Sequence, residues 1–204
     1  MEKIDYKKVF ADEFGGKVGG FRTVHVPARN YIMIDGKGDP NTSAEYIDAI
    51  QTLYPVAYTL KFMVKKELEL DYGVMPLEGL WWMKDMTKFT SADKSDWLWT
   101  AMIMQPDCVS AELFERAVQE VKRKKNPSAL SKLRFEQYTE GRVAQVLYLG
   151  SYSEEGPTIA SLHAYIAAEG GVLNQTNKHH HEIYLGDPRR SAPEKLKTII
   201  RQPY

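Results

Sequence analysis

The stretch that decides the fold is "HHEIYLGDPRRSAPEKLKTIIRQP", residues 180–203. Two strand-like runs flank a segment rich in Gly, Asp, Pro and Ser, which is typical of a two-stranded hairpin. An earlier stretch repeats this order: "LEGLWWM" (77–83) is followed by a polar loop and then by "DWLWTAMIMQP" (96–106). Both hairpins end in Gln-Pro, as "MIMQP" and "IIRQP". The shared endings indicate two copies of one structural unit.

Each hairpin is preceded by a strand and a helix. In the first copy, "FRTVHVPARNYIMIDG" (21–36) is strand-like, and Thr42 with Glu45 forms a capping box that predicts the start of a helix. In the second copy, "RVAQVLYLG" (142–150) is strand-like, and Pro157 suits the first position of a helix. The repeated order is strand, helix and two-stranded hairpin.

The predicted fold is therefore α+β, with tandem duplicated β-α-β-β units and a ligand cleft between them. Residues 1–20 are predicted to form an N-terminal polar segment. Residues 21–204 then form a single domain made of two pseudo-symmetric halves, about 21–108 and 140–204, joined by a helical linker.

Composition excludes several classes of function. Lys plus Arg and Asp plus Glu both number 27 in the 204 residues, so no overall basic excess is present to bind nucleic acid. No apolar run reaches the ~18 residues of a membrane span, and the charged N-terminus is unlike a signal peptide. Cys108 is the one cysteine, which excludes an internal disulfide and a Cys-cluster zinc site. These features predict a cytoplasmic protein.

The run "HHHE" at residues 179–182 raises the question of a metal site. Side chains alternate between the two faces of a strand, so His179 and His181 point one way, and His180 and Glu182 the other. Three consecutive histidines cannot converge on one ion. A site made of His180 and Glu182 alone would have fewer ligands than zinc needs. We therefore expect no metal and no cofactor.

Glu182 has two interpretations. Ile183 is apolar and favours the core, so Glu182 and Tyr184 face the opposite side of the strand. If that side faces solvent, Glu182 is an ordinary exposed residue. Glutamate is disfavoured in strands, however, and Tyr184 and Trp82 are aromatics placed shortly after the glutamates that the repeat matches, Glu182 and Glu78. This favours a lined cleft, in which Glu182 serves as a general base.

Several aromatic side chains are predicted to line that cleft. Tyr54 and Tyr58 are one helical turn apart and share a face. The alternative is that most of these aromatics fill the core. The predicted ligand-binding residues are Tyr54, Tyr58, Trp82, Trp99, Tyr148, Tyr184 and Glu78, and the predicted catalytic residues are Glu182 and Tyr152.

Three motifs carry a resemblance to a known family. "LYPVAYTLKF" (53–62), "PLEGLWW" (76–82) and the stretch 180–203 resemble the GyrI-like small-molecule-binding family, over roughly residue 20 to the end. The family is similar to the effector-binding domains of multidrug-sensing transcription regulators. No DNA-binding helix pair precedes the motifs, so the chain resembles a stand-alone member. The resemblance implies that Glu182 lies in the cleft and faces aromatic side chains.

The resemblance also implies an activity. Some stand-alone members hydrolyse cyclopropane-bearing DNA-alkylating natural products with an aromatic cage, so we expect a hydrophobic aromatic ligand and its hydrolytic detoxification. Tyrosines would polarise a conjugated carbonyl, and Glu182 would take a proton from the attacking water. Two alternatives stay open: a protein that only binds and sequesters drugs, and a DNA gyrase-inhibitor-like protein. A homodimer also stays open.

Overall fold

The computed structural model describes residues 2–84, 93–173 and 179–204. Its strands are β1 (Lys3–Ile4), β2 (Arg22–Val26), β3 (Arg29–Lys37), β4 (Asp71–Tyr72), β5 (Leu77–Trp82), β6 (Leu98–Gln105), β7 (Arg134–Tyr138), β8 (Gly141–Leu149), β9 (His180–Tyr184) and β10 (Lys197–Pro203). Its α-helices are α1 (Tyr6–Val9), α2 (Ala11–Phe14), α3 (Ala44–Glu67), α4 (Ala111–Lys124) and α5 (Gly156–Ala168). Short 3₁₀ turns span Ser128–Lys132, Tyr152–Glu154 and Pro193–Lys195.

Eight of these strands form one antiparallel sheet in the order β2-β8-β10-β9-β5-β6-β3-β7. The first unit is β3-α3-β5-β6 and the second is β8-α5-β9-β10, and the two meet where β5 pairs with β9. The predicted duplicated β-α-β-β architecture is confirmed. The remaining pair, β1 and β4, forms a small parallel sheet.

The chain connections require the large sheet to curl. Strands β2 and β3 are first and seventh in the sheet order, yet only Pro27 and Ala28 separate them. Such a link spans at most about 11 Å, whereas six strand spacings in a flat sheet cover about 29 Å. The two ends of the sheet must therefore approach each other. Thr139 and Glu140 make the matching link from β7 to β8.

The two helices of the repeat cover one face of the sheet, which we call the helix face. Helix α3 packs on β3 and β6, and α5 packs on β8 and β10. The core under α5 joins Leu162 and Ile166 to Val146 and Ile200. A larger core lies under α3 and continues on the opposite face of the sheet. Because the two helices cover separate halves, the central strands β5 and β9 lie between them.

The N-terminal residues pack on the opposite face of the sheet. Arg201 of β10 donates a hydrogen bond of 2.6 Å to the carbonyl oxygen of Glu13, and Phe14 is buried in the larger core. Further along, Val18 forms a parallel bridge with Leu147 of β8. Residues 2–20 are thus in direct contact with the second unit. The domain boundary at residue 20 stays a prediction.

The helix starts differ slightly from those predicted. Helix α3 begins after Ser43, whose hydroxyl accepts a hydrogen bond of 3.4 Å from the Tyr46 N–H, so the cap lies one residue beyond Thr42. Glu45 instead forms an ion pair with Lys132. Helix α5 begins at Gly156, so Pro157 occupies its second position, one residue later in the helix than predicted.

The ladder registers correct one expectation from the repeat. When the two Gln-Pro endings are matched, Ile103 of β6 corresponds to Ile200 of β10. Ile103 lies opposite Leu77, and Ile200 lies opposite Glu182. Leu77 is therefore the counterpart of Glu182, and the predicted equivalence of Glu78 and Glu182 is wrong. The error is one residue, which in a strand moves a side chain to the other face.

Candidate ligand-binding and active site

Strand β9 carries polar side chains on both of its faces. Glu182 lies opposite Gly79, and its neighbours His180 and Tyr184 point to the same helix face. His181 points to the opposite face, where it contacts Glu78. The predicted separation of the histidines onto two faces is confirmed.

Two hydrogen bonds hold the carboxylate of Glu182, whose exposed fraction is 8%. The hydroxyl of Tyr184 donates to its Oε2 at 2.8 Å, and the Nε2 atom of His180 lies 3.1 Å from its Oε1. The indole Nε1 of Trp81 donates to the Tyr184 hydroxyl at 3.1 Å. Each carboxylate oxygen keeps a further lone pair with which to accept a proton or a hydrogen bond.

A glycine makes this arrangement possible. A Cβ atom on Gly79 would lie 2.6 Å from Nε1 of Trp81, which is too close for any side chain. The indole ring therefore leans over the bare backbone of Gly79 and reaches Tyr184 on the neighbouring strand. Replacement of this glycine would displace the ring that positions the tyrosine.

Helix α3 supplies one wall of the site. Tyr46 is buried, with its ring centroid 5.6 Å from that of Trp81 and 5.0 Å from that of Trp99. Burial, with a smaller contribution from the charge of Glu182, raises the pKa of Tyr46. Tyr54 lies two turns further along the same helix and is half-buried, and its pKa is also raised by burial.

The segment that leads into α5 supplies the other wall. The ring of Tyr152 meets that of Tyr184 edge-on, with the centroids 5.5 Å apart. Burial and the charges of Glu182 and Glu155 raise the pKa of Tyr152 to about 12, so its hydroxyl keeps its proton at neutral pH. Glu155 has an exposed fraction of 6%.

The structure thus brings together four of the predicted residues: Glu182, Tyr184, Tyr152 and Tyr54. The remaining tyrosines lie at the margin. Tyr148 is on the helix face, but its hydroxyl donates to the Ser151 carbonyl at 3.0 Å. Tyr58 is 49% exposed, and its ring centroid lies 6.5 Å from that of Tyr54.

Three other predicted residues lie away from Glu182. Trp82 is on the opposite face and stacks on His179, with the centroids 4.2 Å apart. The expectation that it shares a face with Tyr184 is wrong, because the predicted match of Glu78 with Glu182 was displaced by one residue and a shift of one residue changes the face of a strand. Trp99 is 0% exposed, with its ring against Gly36 in the core. Glu78 is fully buried on the opposite face.

Sequence reasoning missed four residues of the site: Tyr46, Trp81, Glu155 and His180 as a partner of Glu182. The choice between Trp81 and Trp82 depends on the register between β5 and β9. These strands belong to different hairpins, so the sequence of one hairpin does not determine that register. Glu155 lies in a loop, where no periodicity marks the direction of a side chain.

On the opposite face, a chain of buried charges crosses the sheet, and we call this side the network face. His181 lies 2.9 Å from Oε2 of Glu78 and 2.8 Å from Oε1 of Glu140. Glu140 also accepts a hydrogen bond of 2.6 Å from Arg201, which bonds Gln145 at 3.0 Å.

The charges of this network determine its protonation. Burial opposes the charged form of His181, but Glu140 and Glu78 outweigh burial and raise its pKa to about 9. Burial likewise opposes the charged form of Glu140, but His181 and Arg201 outweigh it and lower its pKa to about 2. His181, Arg201 and Glu140 therefore carry charge at neutral pH.

Within residues 2–84, 93–173 and 179–204, no group of three or more His, Cys, Asp or Glu side chains is placed to hold a metal ion. No helix of these ranges has the length and apolar character needed to cross a bilayer.

A surface groove of about 680 Å³ lies far from this chemistry. It runs between α3 and α4, and its lining includes Met63, Phe114 and Leu133. Arg116, also in its wall, forms an exposed ion pair with Glu67. Since its charged groups face solvent, the groove has none of the desolvated polar groups that characterise the Glu182 site.

A buried carboxylate ringed by tyrosines, between the two helices of a duplicated antiparallel unit, defines a small-molecule-binding domain. The chain belongs to the GyrI-like family, because the model of the GyrI-like small molecule binding domain matches residues 21–204.

Solved structures agree with this assignment. An uncharacterized conserved protein from Listeria innocua is 39% identical, with a TM-score of 0.87, and the match covers 98% of this chain and 99% of that one. A hydrolase encoded by lin2189 from Listeria innocua is 40% identical, with a TM-score of 0.84 and coverage of 99% of both chains.

A more distant structure shares the fold alone. The C-terminal domain of EcmrR is 11% identical, with a TM-score of 0.54 over 90% of this chain and 96% of that one. No protein with a curated description matches the sequence.

Proposed function

We propose that the protein binds a hydrophobic aromatic molecule beside Glu182 and hydrolyses it, with cyclopropane-bearing DNA-alkylating compounds as the substrate class. One observation carries this proposal: Glu182 is buried, both its oxygens are oriented by donors, and no Lys or Arg of the described ranges pairs with it. A carboxylate in these surroundings can accept a proton from water.

The proposed reaction adds water across one cyclopropane bond. The water oxygen forms a bond to the ring carbon, and Glu182 takes the proton that the water releases. The carbon–carbon bond breaks, and its electron pair moves through the conjugated system to the carbonyl oxygen. Tyr152 keeps its proton at neutral pH and donates a hydrogen bond to that oxygen.

The tyrosine rings favour a flat, conjugated substrate. Tyr54, Tyr152 and Tyr184 offer apolar ring surface around the carboxylate. Such surface stacks an aromatic ligand and excludes bulk water, which strengthens the electrostatic effect of Glu182. The Listeria innocua hydrolase, 40% identical over nearly the whole chain, supports a hydrolytic reaction and leaves its substrate open.

The direct test is to incubate the protein with a cyclopropane-bearing alkylator and follow the products by mass spectrometry. We expect a product that is heavier by one water, formed by the wild type and lost in Glu182→Gln. The matched control is Glu154→Gln, since Glu154 is an exposed residue of the loop before α5. If the wild type forms no such product, the enzyme proposal fails.

A pure binding protein is the second candidate, favoured by the same aromatic ring surface, which can hold a ligand without chemistry. Titration with quenching of tryptophan fluorescence separates the cases. For a neutral ligand, Glu182→Gln should leave affinity nearly unchanged. For a cationic ligand, it should weaken binding, because the carboxylate supplies the counter-charge.

A further inference from the structure

A second carboxyl group belongs to the helix-face site. Glu155 immediately precedes α5, and its side chain is as well buried as that of Glu182. Its Oε2 atom is inaccessible to solvent and has no hydrogen-bond partner among the described residues. A buried polar atom without a partner is costly unless a ligand or a proton satisfies it.

The groups around Glu155 are mostly neutral or negative. Glu182 faces it from β9, and Tyr148, Tyr152 and Tyr184 are close enough to feel its charge. Lys94, which stacks on Trp97, is the cation that acts on it.

These surroundings set the protonation of Glu155. Burial and the charge of Glu182 raise its pKa to about 9, although Lys94 opposes this. The N-terminus of α5 also favours the charged form. The two raising effects prevail, so the carboxyl group carries a proton at neutral pH. A protonated carboxyl group beside a second carboxyl group is an arrangement that general acid–base catalysis uses.

We propose that Glu155 is the general acid of the site and donates a proton to the carbonyl oxygen of the substrate while Glu182 takes one from water. The inference rests on the proposed function and assigns its second proton transfer.

Atoms and charges balance in this step. The O–H bond of Glu155 breaks and a new O–H bond forms at the carbonyl oxygen, which receives the electron pair of the broken cyclopropane bond. Because the oxygen receives this proton, the product leaves the site as a neutral phenol and not as a phenolate anion. Glu182 then holds the proton from water and Glu155 is ionised. Return of that proton to Glu155, through water or a tyrosine hydroxyl, restores the starting state.

Kinetics on the whole chain test the catalytic role. Glu155→Gln should lower kcat by roughly 10²- to 10⁴-fold, the usual share of an acid catalyst, and leave ligand affinity in fluorescence titration nearly unchanged. The control Glu154→Gln should leave kcat unchanged. In the wild type the rate should fall above about pH 9, where Glu155 loses its proton, and Glu155→Gln should lack this fall. Wild-type kcat in Glu155→Gln would overturn the proposal.

A second measurement does not need turnover. Carbon-13 NMR of glutamate carboxyl groups should show a signal that titrates near pH 9 and is missing in Glu155→Gln. In Glu182→Gln the same signal should titrate at lower pH, because the neighbouring charge is gone. If the wild type hydrolyses nothing but this signal is present, the proposed function fails while the protonation of Glu155 stands. If Glu155 titrates as an ordinary carboxyl group, the acid assignment fails whatever the activity.

Discussion

One short strand, β9, separates two buried acidic clusters that differ in how their charge is balanced. On the network face, Glu78 and Glu140 are matched by His181 and Arg201 through hydrogen bonds of 2.6 to 2.9 Å. On the helix face, Glu182 has polar partners and no Lys or Arg partner within the described ranges.

The difference separates structural charge from charge that is available for chemistry. A buried ion is tolerated when its partners replace the hydrogen bonds that water made. On the network face this holds for Glu140, whose oxygens meet His181 and Arg201, whereas Oε1 of Glu78 has no hydrogen-bond partner among the described residues. The network also ties β5, β9 and β10 to the N-terminal residues. The helix face leaves its two carboxyl groups without a full complement of opposite charge. A ligand or a reacting water can then use them.

The largest effect expected on the helix face is the loss of turnover in Glu182→Gln. Turnover should fall roughly 10²- to 10⁴-fold, because the substitution keeps the volume and removes the base. Thermal unfolding should change little, since no ion pair with Lys or Arg is broken. Single-turnover kinetics and a melting curve on the same sample measure both. Wild-type turnover in this variant would remove Glu182 from the mechanism.

On the network face, Arg201→Met should lower the free energy of unfolding by about 3–5 kcal/mol, because it leaves Glu140 buried without its guanidinium partner. Urea denaturation measures this change. The control is Arg189→Met, which breaks an exposed ion pair with Asp187 and should cost about 0–1 kcal/mol. Equal effects of the two variants would show that the network contributes no more than a surface pair.

The pH dependence of stability tests the buried charges of both faces. The pKa of His181 is raised to about 9, so its contribution is complete below its ordinary value of about 6.5 and is lost as the pH rises towards 9. The raised pKa of Glu155 acts in the same direction: its contribution to stability is lost as the pH rises from the ordinary value of 4.5 towards about 9. The lowered pKa of Glu140 contributes stability that is lost as the pH falls towards about 2.

Urea titrations of the wild type and of Glu155→Gln from pH 6.5 to 9 separate these contributions. The slope that remains in Glu155→Gln reports His181, and the difference between the two proteins reports Glu155. A wild type whose stability stays constant over this range would contradict both assignments.

The smallest predicted effect concerns the tryptophan pair. Trp81→Phe removes the hydrogen bond to Tyr184 and should weaken ligand binding by about 0.5–1.5 kcal/mol. Trp82→Phe alters only the network face, where the ring stacks on His179, and should leave affinity unchanged. Isothermal titration calorimetry measures both. Weaker binding in Trp82→Phe alone would assign the cleft to the other side of β5.

The sequence predicted those features that depend on local pattern. The alternation in β9 placed Glu182 and Tyr184 on one face and His181 on the other, because a strand has a fixed period of two. The repeated order of strand, helix and hairpin, together with the shared Gln-Pro endings, identified the duplication.

Features that depend on register or on distant pairing were not predictable in this way. The matching of Glu78 with Glu182 failed by one residue, since the two hairpin loops differ in length and the ladder alone fixes the offset. Glu140 and His181 are separated by 41 positions, so their contact has no local signature. The direction of Glu155 depends on how its loop meets β9, which no periodic pattern encodes.

The links at Pro27–Ala28 and Thr139–Glu140 join each unit to the strand that precedes it in the chain, β2 or β7. Each of these preceding strands pairs with the other unit. Strand β2 pairs with β8, and β7 pairs with β3. A separate copy of one unit would leave β3 or β8 as an unpaired edge strand. Two such copies could complete each other by exchanging their preceding strands, as in a domain-swapped dimer. This chain joins the two units of such a dimer covalently, and α4 lies in the segment that connects them. Each half completes its sheet only with a strand that pairs across to the other half, so the ligand cleft between them requires both halves.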